Sequence, residues 1–312
     1  MNDWALAIDV GGTKLAAARV RGDGGVMVRA QRPTPGTVDA DELWAALLSL
    51  VADVTGGEDP DRIGVGCGGP MRWPDGNVSP LNIPAWRDFP LRQRLRERHP
   101  GAIVRVHNDA IAMAVGEHWR GAGRGSSNFL GVVVSTGVGG GLVIGDRVVN
   151  GRSGNAGHVG HVVVEPSGPA CACGGVGCVE AVARGPAVVA WAQQRGWSPP
   201  AGDASGVTLA ESARDGDPVA VAAFAHAGEA IGLALASVVA ALDLDAVAVG
   251  GGLANAGELL FGPLQAAFDR HARLDFSRGC RIVPAQLGRD AGLVGAAAFV
   301  LAADHYWPAG AD

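Results

Sequence analysis

Apolar and polar positions alternate in short blocks from the start of the chain. Residues 4–10 are mostly apolar, Gly11-Gly12 interrupts them, and residues 15–20 are apolar again, which predicts strand, turn, strand. Asp23-Gly24-Gly25 marks a second turn before a third short strand from Val26. Over residues 41–54 the rhythm changes: Leu43, Trp44, Leu47, Leu48 and Val51 recur at helical intervals. Residues 63–67 and 103–106 are short apolar strands, each ending in a polar or glycine-rich turn. The opening pattern then returns, with a strand over 129–134, a turn over 137–141 and a strand over 142–144. A long apolar helix over about 219–242, a strand over 246–249, a Gly250-Gly251-Gly252 turn and a helix over about 258–270 follow.

Two halves that each open strand-turn-strand form an internal repeat at domain scale. The pattern predicts two α/β domains with a cleft between them: a small domain over residues 1–108 and a large one over 109–290. A helix begins at the boundary, over 109–119, and a last helix, over about 291–304, is expected to pack back on the first domain. Residues 196–206 (GWSPPAGDASG) read as a loop.

The 312 residues suffice for two domains, and 48% apolar against 18% charged composition excludes a disordered chain. A net charge of −6, with no Lys/Arg-rich aromatic surface, argues against nucleic acid. The one basic run, RQRLRER at 92–98, has helical spacing after Pro90 and reads as a solvated helix face. The N-terminus shows no basic n-region or cleavage-like site, and the longest apolar run, 230–242, has 13 residues, short of a membrane span. The expectation is a cytoplasmic protein with no membrane partner. Five cysteines, three of them clustered, fit a reducing compartment better than a disulfide framework.

The cluster is His161, Cys171, Cys173 and Cys178, spaced His-x9-Cys-x-Cys-x4-Cys. One imidazole and three thiols supply the tetrahedral nitrogen/sulfur shell that zinc prefers, and four protein ligands would make such a zinc structural. The competing reading is that the thiols are simply buried, although a glycine- and proline-rich loop offers little core to bury them in.

Asp9-Val-Gly-Gly-Thr-Lys14 lies between two predicted strands, where glycine N–H groups and the Thr13 hydroxyl can face phosphate oxygens. Asp9, an acceptor-only carboxylate at a strand end, suits a hydrated magnesium ion. Ser135-Thr136-Gly137-Val138-Gly139-Gly140-Gly141 offers similar chemistry in the second half, and Gly250-Gly251-Gly252 stands at a strand-to-helix junction. Each loop alone can be a plain turn. A dinucleotide fingerprint is disfavoured because a predicted strand, LVIGDRVV, follows the glycines where a helix is required. Asp109, after a strand and at a helix start, suits the role of proton acceptor in phosphoryl transfer to a hydroxyl, or that of an ordinary helix N-cap. Asn82 and Asn108 present amides that donate and accept, as polyol recognition requires, with a plain turn the alternative for Asn82.

These motifs together resemble the ROK family (repressors, open reading frames and kinases) over nearly the whole chain. The resemblance rests on Asp9 to Lys14, Asn108-Asp109, Ser135 to Gly141, Gly157 to His161, the cysteine cluster through Glu180, and Gly250 to Gly252. It implies an actin-like ATPase (ribonuclease H-like) fold, ATP and Mg2+ as cofactors beside a structural Zn2+, and a homodimer. It implies Asp109 as the base that activates a sugar 6-hydroxyl. It places Gly69, Asn82, Asn108, His158, His161 and Glu180 at the sugar. Asp9, Gly11, Gly12, Thr13, Lys14, Thr136, Gly137, Gly139 and Gly140 fall at the phosphates, and Gly251 at the adenosine. The DxGGTK strand begins by residue 4, which leaves no room for the DNA-binding domain of the family's repressors.

One position departs from the pattern. Many glucokinases of the family carry glutamate where this chain has His158. A carboxylate accepts from two hydroxyls, whereas neutral imidazole offers one donor and one acceptor. The Ala-Gly-His-x-Gly-His form is similar to that of N-acetylmannosamine kinases, and a tolerated change in a glucose enzyme is the other reading. The resulting expectation is an ATP-dependent hexose kinase acting on O6 of glucose or an N-acetylhexosamine, N-acetylmannosamine favoured by His158. The alternative is a non-catalytic sugar sensor of the same fold, and polyphosphate as donor stays open.

Overall fold

Strand alternation sorts the first strand's side chains to two faces. In β1 (Trp4–Val10), Leu6, Ile8 and Val10 enter one apolar cluster with Leu43, Leu47 and Leu50 of α1 (Ala40–Thr55). Ala5 and Ala7 enter another, with Ala16, Ala18, Leu293, Ala296 and Ala297. α1 starts where the Asp39 side chain accepts from the Asp41 and Glu42 N–H groups, and stops at Gly56 in the left-handed region. The computed structural model describes residues 2–311; Met1 and Asp312 lie outside the described residues.

β2 (Lys14–Arg21) and β3 (Val26–Pro33) continue from β1 as antiparallel neighbours. β4 (Arg62–Cys67) pairs parallel with β1, and β7 (Ile103–Asn108) parallel with β4. Between β4 and β7 lie the small hairpin of β5 (Met71–Arg72) and β6 (Asn77–Val78) and helix α2 (Leu91–Arg98). α3 (Asp109–Arg120) follows, giving a first sheet of order β3-β2-β1-β4-β7. The second sheet, order β10-β9-β8-β11-β12, repeats that pattern. Its strands are β8 (Phe129–Val134), β9 (Val138–Ile144), β10 (Arg147–Val149), β11 (Ala246–Gly250) and β12 (Arg281–Pro284). β10 pairs antiparallel with β9, while β8, β11 and β12 pair in parallel. The remaining helices are α4 (Val179–Ala183), α5 (Gly185–Gln194), α6 (Gly206–Arg214), α7 (Pro218–Leu242), α8 (Glu258–His271), α9 (Asp275–Arg278), α10 (Ala291–Leu301) and α11 (Ala303–Tyr306).

The chain divides into two compact units. One comprises residues up to Ser127, 141–157 and those from 286 on; the other comprises 128–140 and 158–285. This differs from the division expected at Asp109. α3 belongs to the first unit, where it packs on α10 and β4. The reason is close backbone approach: a Cβ at Gly295 would fall 1.6 Å from the Ala112 carbonyl oxygen, so only glycine lets α10 lie this near α3. α10 also packs on β1 and β4.

Three local expectations are corrected. The turn over 137–141 is shorter, because β9 already begins at Val138 and takes Gly139 and Gly140 into the strand. The basic run at 92–98 is not wholly solvated. Arg92 is buried and donates from Nε to the Val104 oxygen and from Nη1 to the Pro74 oxygen, at 3.0 Å each. α7 (25 residues) matches the helix expected over about 219–242, but by length and composition it is long enough to cross a membrane, which the 13-residue apolar run alone is not. Its packing against α4, α5, α6 and α8 is that of a core helix.

Candidate functional site

In the first unit, two carboxylates stand at the same edge of the sheet, at the ends of two parallel strands with β4 between them. Asp9 lies near the end of β1, opposite Gly66 of β4, and Asp109 follows the last residue of β7. The N-cap of α3 is Asn108, not Asp109. The extended backbone of Asn108 lets its Oδ1 accept from the Ala110 N–H at 2.9 Å and the Ile111 N–H at 3.4 Å. Asp109 is thus the first helical residue, its Oδ1 accepting from the Ala110 N–H at 2.8 Å. Burial pushes Asp9 up to about 6; the Asp109 charge adds to the rise, and Lys14 and Arg29 oppose it. The buried Cys67 thiol is raised well above its usual value by burial, then by Asp109 and Asp9. Two carboxylates that raise each other's affinity for a proton suit a cation in the same way.

The loops around these carboxylates are tied together. The Gly11 N–H donates to the Lys14 oxygen at 3.0 Å, and the Thr34 hydroxyl donates to the Gly11 oxygen at 2.6 Å. The Gly68 N–H donates to the Val10 oxygen, and the Leu81 N–H to the Gly69 oxygen, at 3.1 Å each. A Cβ at Gly12 would come 2.5 Å from the Asn82 Cβ, so the glycine lets the exposed Asn82 loop lie against the Asp9-to-Lys14 turn. A Cβ at Gly69 would meet Asn108 Nδ2 at 3.2 Å. Gly11, Gly12, Thr13, Lys14, Gly69, Asn82, Asn108 and Asp109 therefore belong to one group with Asp9. With its Oδ1 engaged in the cap, Asn108 keeps its amide N–H groups for a ligand.

The second unit gathers the other group. Between β8 and β9 the Ser135 N–H donates to the Gly137 oxygen at 2.8 Å, so Thr136 stands exposed at a tight turn. Glu180 of α4 accepts from the Val138 N–H through Oε2 at 2.9 Å, which pins it beside Gly137. Gly251, with φ +94°, sits where a Cβ would fall 2.4 Å from the Val134 oxygen, bringing the β11 turn onto the end of β8. A cavity of about 90 Å³ opens beside it, lined by Gly252, Leu253 and Asn255 together with Gly206, Val207 and Arg214. The 3-10 turn Val159–His161 packs so closely that a Cβ at Gly160 would lie 2.1 Å from the Val138 oxygen. His158, just before that turn, and His161, its last residue, have their rings stacked, 6.4 Å apart at 18°. His158 Nδ1 is buried without a hydrogen-bond partner.

The donor atoms of His161, Cys171, Cys173 and Cys178 all lie within 4.8 Å of one another. His161 Nδ1 is 3.9 Å from Cys171 Sγ, and Cys173 Sγ is 3.8 Å from Cys178 Sγ. Two thiolates on one tetrahedral zinc stand about 3.8 Å apart, so the group fits that ion. The Gly175 backbone N–H, with bonds from Cys171 and Cys178, holds Cys173 below the usual thiol value. Burial pushes Cys178 up to about 12. A bound metal ion would hold these thiols as thiolates.

The ROK family profile matches residues 5–303. The chain belongs to the ROK family. Glucokinase of Thermotoga maritima is 33% identical over 309 residues, covering 95% of this chain and 96% of that protein. N-acetylmannosamine kinase of Pasteurella multocida is 35% identical over 296 residues, with 95% of each chain covered. The crystal structure of a ROK family glucokinase from Streptomyces griseus in complex with glucose and AMPPNP matches with a TM-score of 0.83 at 35% identity, over 95% of this chain and 99% of that one. The fold of this ROK chain is accordingly the actin-like ATPase fold. Three features escape a reading of the sequence: Asn108 as the cap, the Val138 N–H on Glu180, and the close approach at Gly160. Each depends on contacts that no local pattern announces, although the small residue between the two histidines of GHVGH hints at the last.

Proposed function

We propose that this ROK chain is an ATP-dependent sugar kinase that phosphorylates the 6-hydroxyl of a hexose or 2-acetamido hexose. The observation that carries the proposal is the Asp9/Asp109 pair beside the Gly11-Gly12 turn, with Asn108 as the cap of α3 and Asp109 as its first residue. Asp109 accepts the proton of the attacking hydroxyl, and Asn82 and Asn108 orient the sugar. Lys14 and the N–H groups of Gly12 and Thr13, in the turn that the Gly11 N–H closes, are the phosphate-holding groups of the first unit; Thr136, Gly137, Gly139 and Gly140 are those of the second. Gly251 and the cavity at Gly252 suit the adenosine. Asp9 would hold Mg2+, which supplies charge neutralisation on the phosphates. The zinc cluster would fix His161 and, through the short turn, His158.

The unpartnered Nδ1 of His158 supports an acetamido sugar. A buried ring nitrogen without a partner has capacity for one directed bond, such as donation to an acetamido carbonyl. ADP release with ATP and Mg2+ across glucose, mannose, N-acetylglucosamine and N-acetylmannosamine tests the reading. N-acetylmannosamine is the expected best substrate. A preference for glucose sinks the role given to His158 but not the kinase. No ADP release with any sugar, and none with polyphosphate as donor, favours a non-catalytic sugar sensor.

A further inference from the structure

A cavity of about 380 Å³ lies in the first unit, among residues that share nothing with the proposed kinase machinery. Its walls include Arg105 of β7, Arg147 at the start of β10, Asp304 of α11, and Trp307 and Pro308 just beyond. The size is within the range of about 300–1,000 Å³ usual for small-molecule sites. We propose that it is a second ligand site, for a sugar phosphomonoester.

The chemistry of the walls selects that class. The lining carries two arginines, Arg105 and Arg147, and one acidic residue, Asp304, a composition suited to a phosphate dianion. Arg105 is held firmly: its Nη1 donates to the Phe299 oxygen at 2.7 Å and its guanidinium lies 5.4 Å from the centre of the Trp307 ring. Arg147 is exposed and braced from Nη1 to the Asp304 oxygen at 2.9 Å, which leaves further N–H groups for a ligand. The Asp304 carboxylate repels a bare anion but accepts from hydroxyls. A ligand carrying both a phosphate and hydroxyls therefore suits the site better than inorganic phosphate does. The indole of Trp307 and the ring of Pro308 offer an apolar surface to the C–H face of a sugar. Trp307 Nε1 is buried without a hydrogen-bond partner, one further donor for an oxygen-rich guest.

The cavity is also wired to β7. Two residues after Arg105, the His107 ring meets Trp307 edge-on, with centroids 6.1 Å apart. His107 Nδ1 accepts from the Asn108 N–H at 2.8 Å, so Nε2 carries the proton and donates to Asn150 Oδ1 at 2.6 Å. A ligand on Arg105 and Trp307 thus touches the strand that delivers Asn108 and Asp109.

The test is direct binding, which does not depend on any transfer reaction. Calorimetry is run with glucose 6-phosphate and with inorganic phosphate, each in the presence of saturating free sugar to fill the proposed catalytic site. The expected result is glucose 6-phosphate binding that free sugar does not displace and that exceeds phosphate binding. Arg147→Gln weakens it by about tenfold or more, and Trp307→Phe weakens it as well. Asp304→Asn tightens inorganic phosphate. ADP-release activity and melting temperature of Arg147→Gln stay at the wild-type level. The proposal is overturned by the absence of binding, by full displacement with free sugar, or by unchanged binding in Arg147→Gln. Phosphate binding as tightly as the sugar phosphate overturns the ligand class.

Discussion

Adding one methyl group at Gly160 probes how the histidine turn is held. A Cβ there would sit 2.1 Å from the Val138 carbonyl oxygen, well inside any tolerated contact. The Cβ is fixed rigidly to its Cα and the carbonyl is backbone, so neither can rotate away; the Val159–His161 turn must withdraw by about 1 Å. His158 and His161 move with it. Val138 is also the residue whose N–H holds Glu180. A misplacement of about 1 Å in a positioning group costs about 100-fold in rate, or about 2.7 kcal/mol of transition-state stabilisation. Gly160→Ala should therefore lower kcat/KM by roughly two orders of magnitude. It should also lose zinc, since His161 belongs to the cluster. Steady-state kinetics and metal analysis by mass spectrometry read both effects. Gly22→Ala is the control, because nothing lies within 4 Å of a Cβ at that position. A Gly160→Ala protein with wild-type kinetics and full zinc content would refute the reasoning.

Further outcomes follow from the same geometry. Gly295→Ala forces a Cβ to within 1.6 Å of the Ala112 oxygen, and should destabilise the first unit by about 1–3 kcal/mol or more, seen as a melting temperature lower by several degrees. Cys173→Ser should abolish zinc binding and lower turnover; unchanged activity in a zinc-free protein would remove the metal from the account. Asp9 titrates near 6, above its usual 3.8, so the folded metal-free protein holds this proton more tightly than the unfolded chain does. Burying the ionised group opposes folding, and that penalty grows as pH rises from about 4 to about 6 and persists above. Mg2+ must displace the proton, so the Mg2+ concentration for half-activity should rise as pH falls below about 6. Asp109→Asn removes a charge that raises Asp9, and the midpoint of Mg2+ binding should then move to lower pH. An unmoved midpoint contradicts the pairing.

The repeated strand-turn-strand opening was legible because short apolar blocks with glycine breaks have few other readings. The same holds for the grouping of His161, Cys171, Cys173 and Cys178, which lie within eighteen residues of one another. What stayed hidden depends on distant partners. Arg92 reads as a solvated charge until Val104 and Pro74 supply carbonyls for it. Asp109 and Asn108 are adjacent and both good caps, so only the backbone angles of Asn108 settle which of them caps α3. The unit boundary eluded the sequence because the chain crosses it repeatedly, once within β9, and because α3 is drawn into the first unit by glycine contacts with α10. Ala291 to Leu301 is nearly all apolar, so its own pattern names no face.

The central claim is that Asp109 takes the proton of the sugar hydroxyl. The most direct measurement is kcat of Asp109→Asn on the best sugar with ATP and Mg2+, beside its melting temperature and zinc content. The account predicts a loss of about 10²–10⁴-fold, with melting temperature and zinc unchanged. Turnover close to wild type in a folded, zinc-loaded Asp109→Asn protein would contradict it.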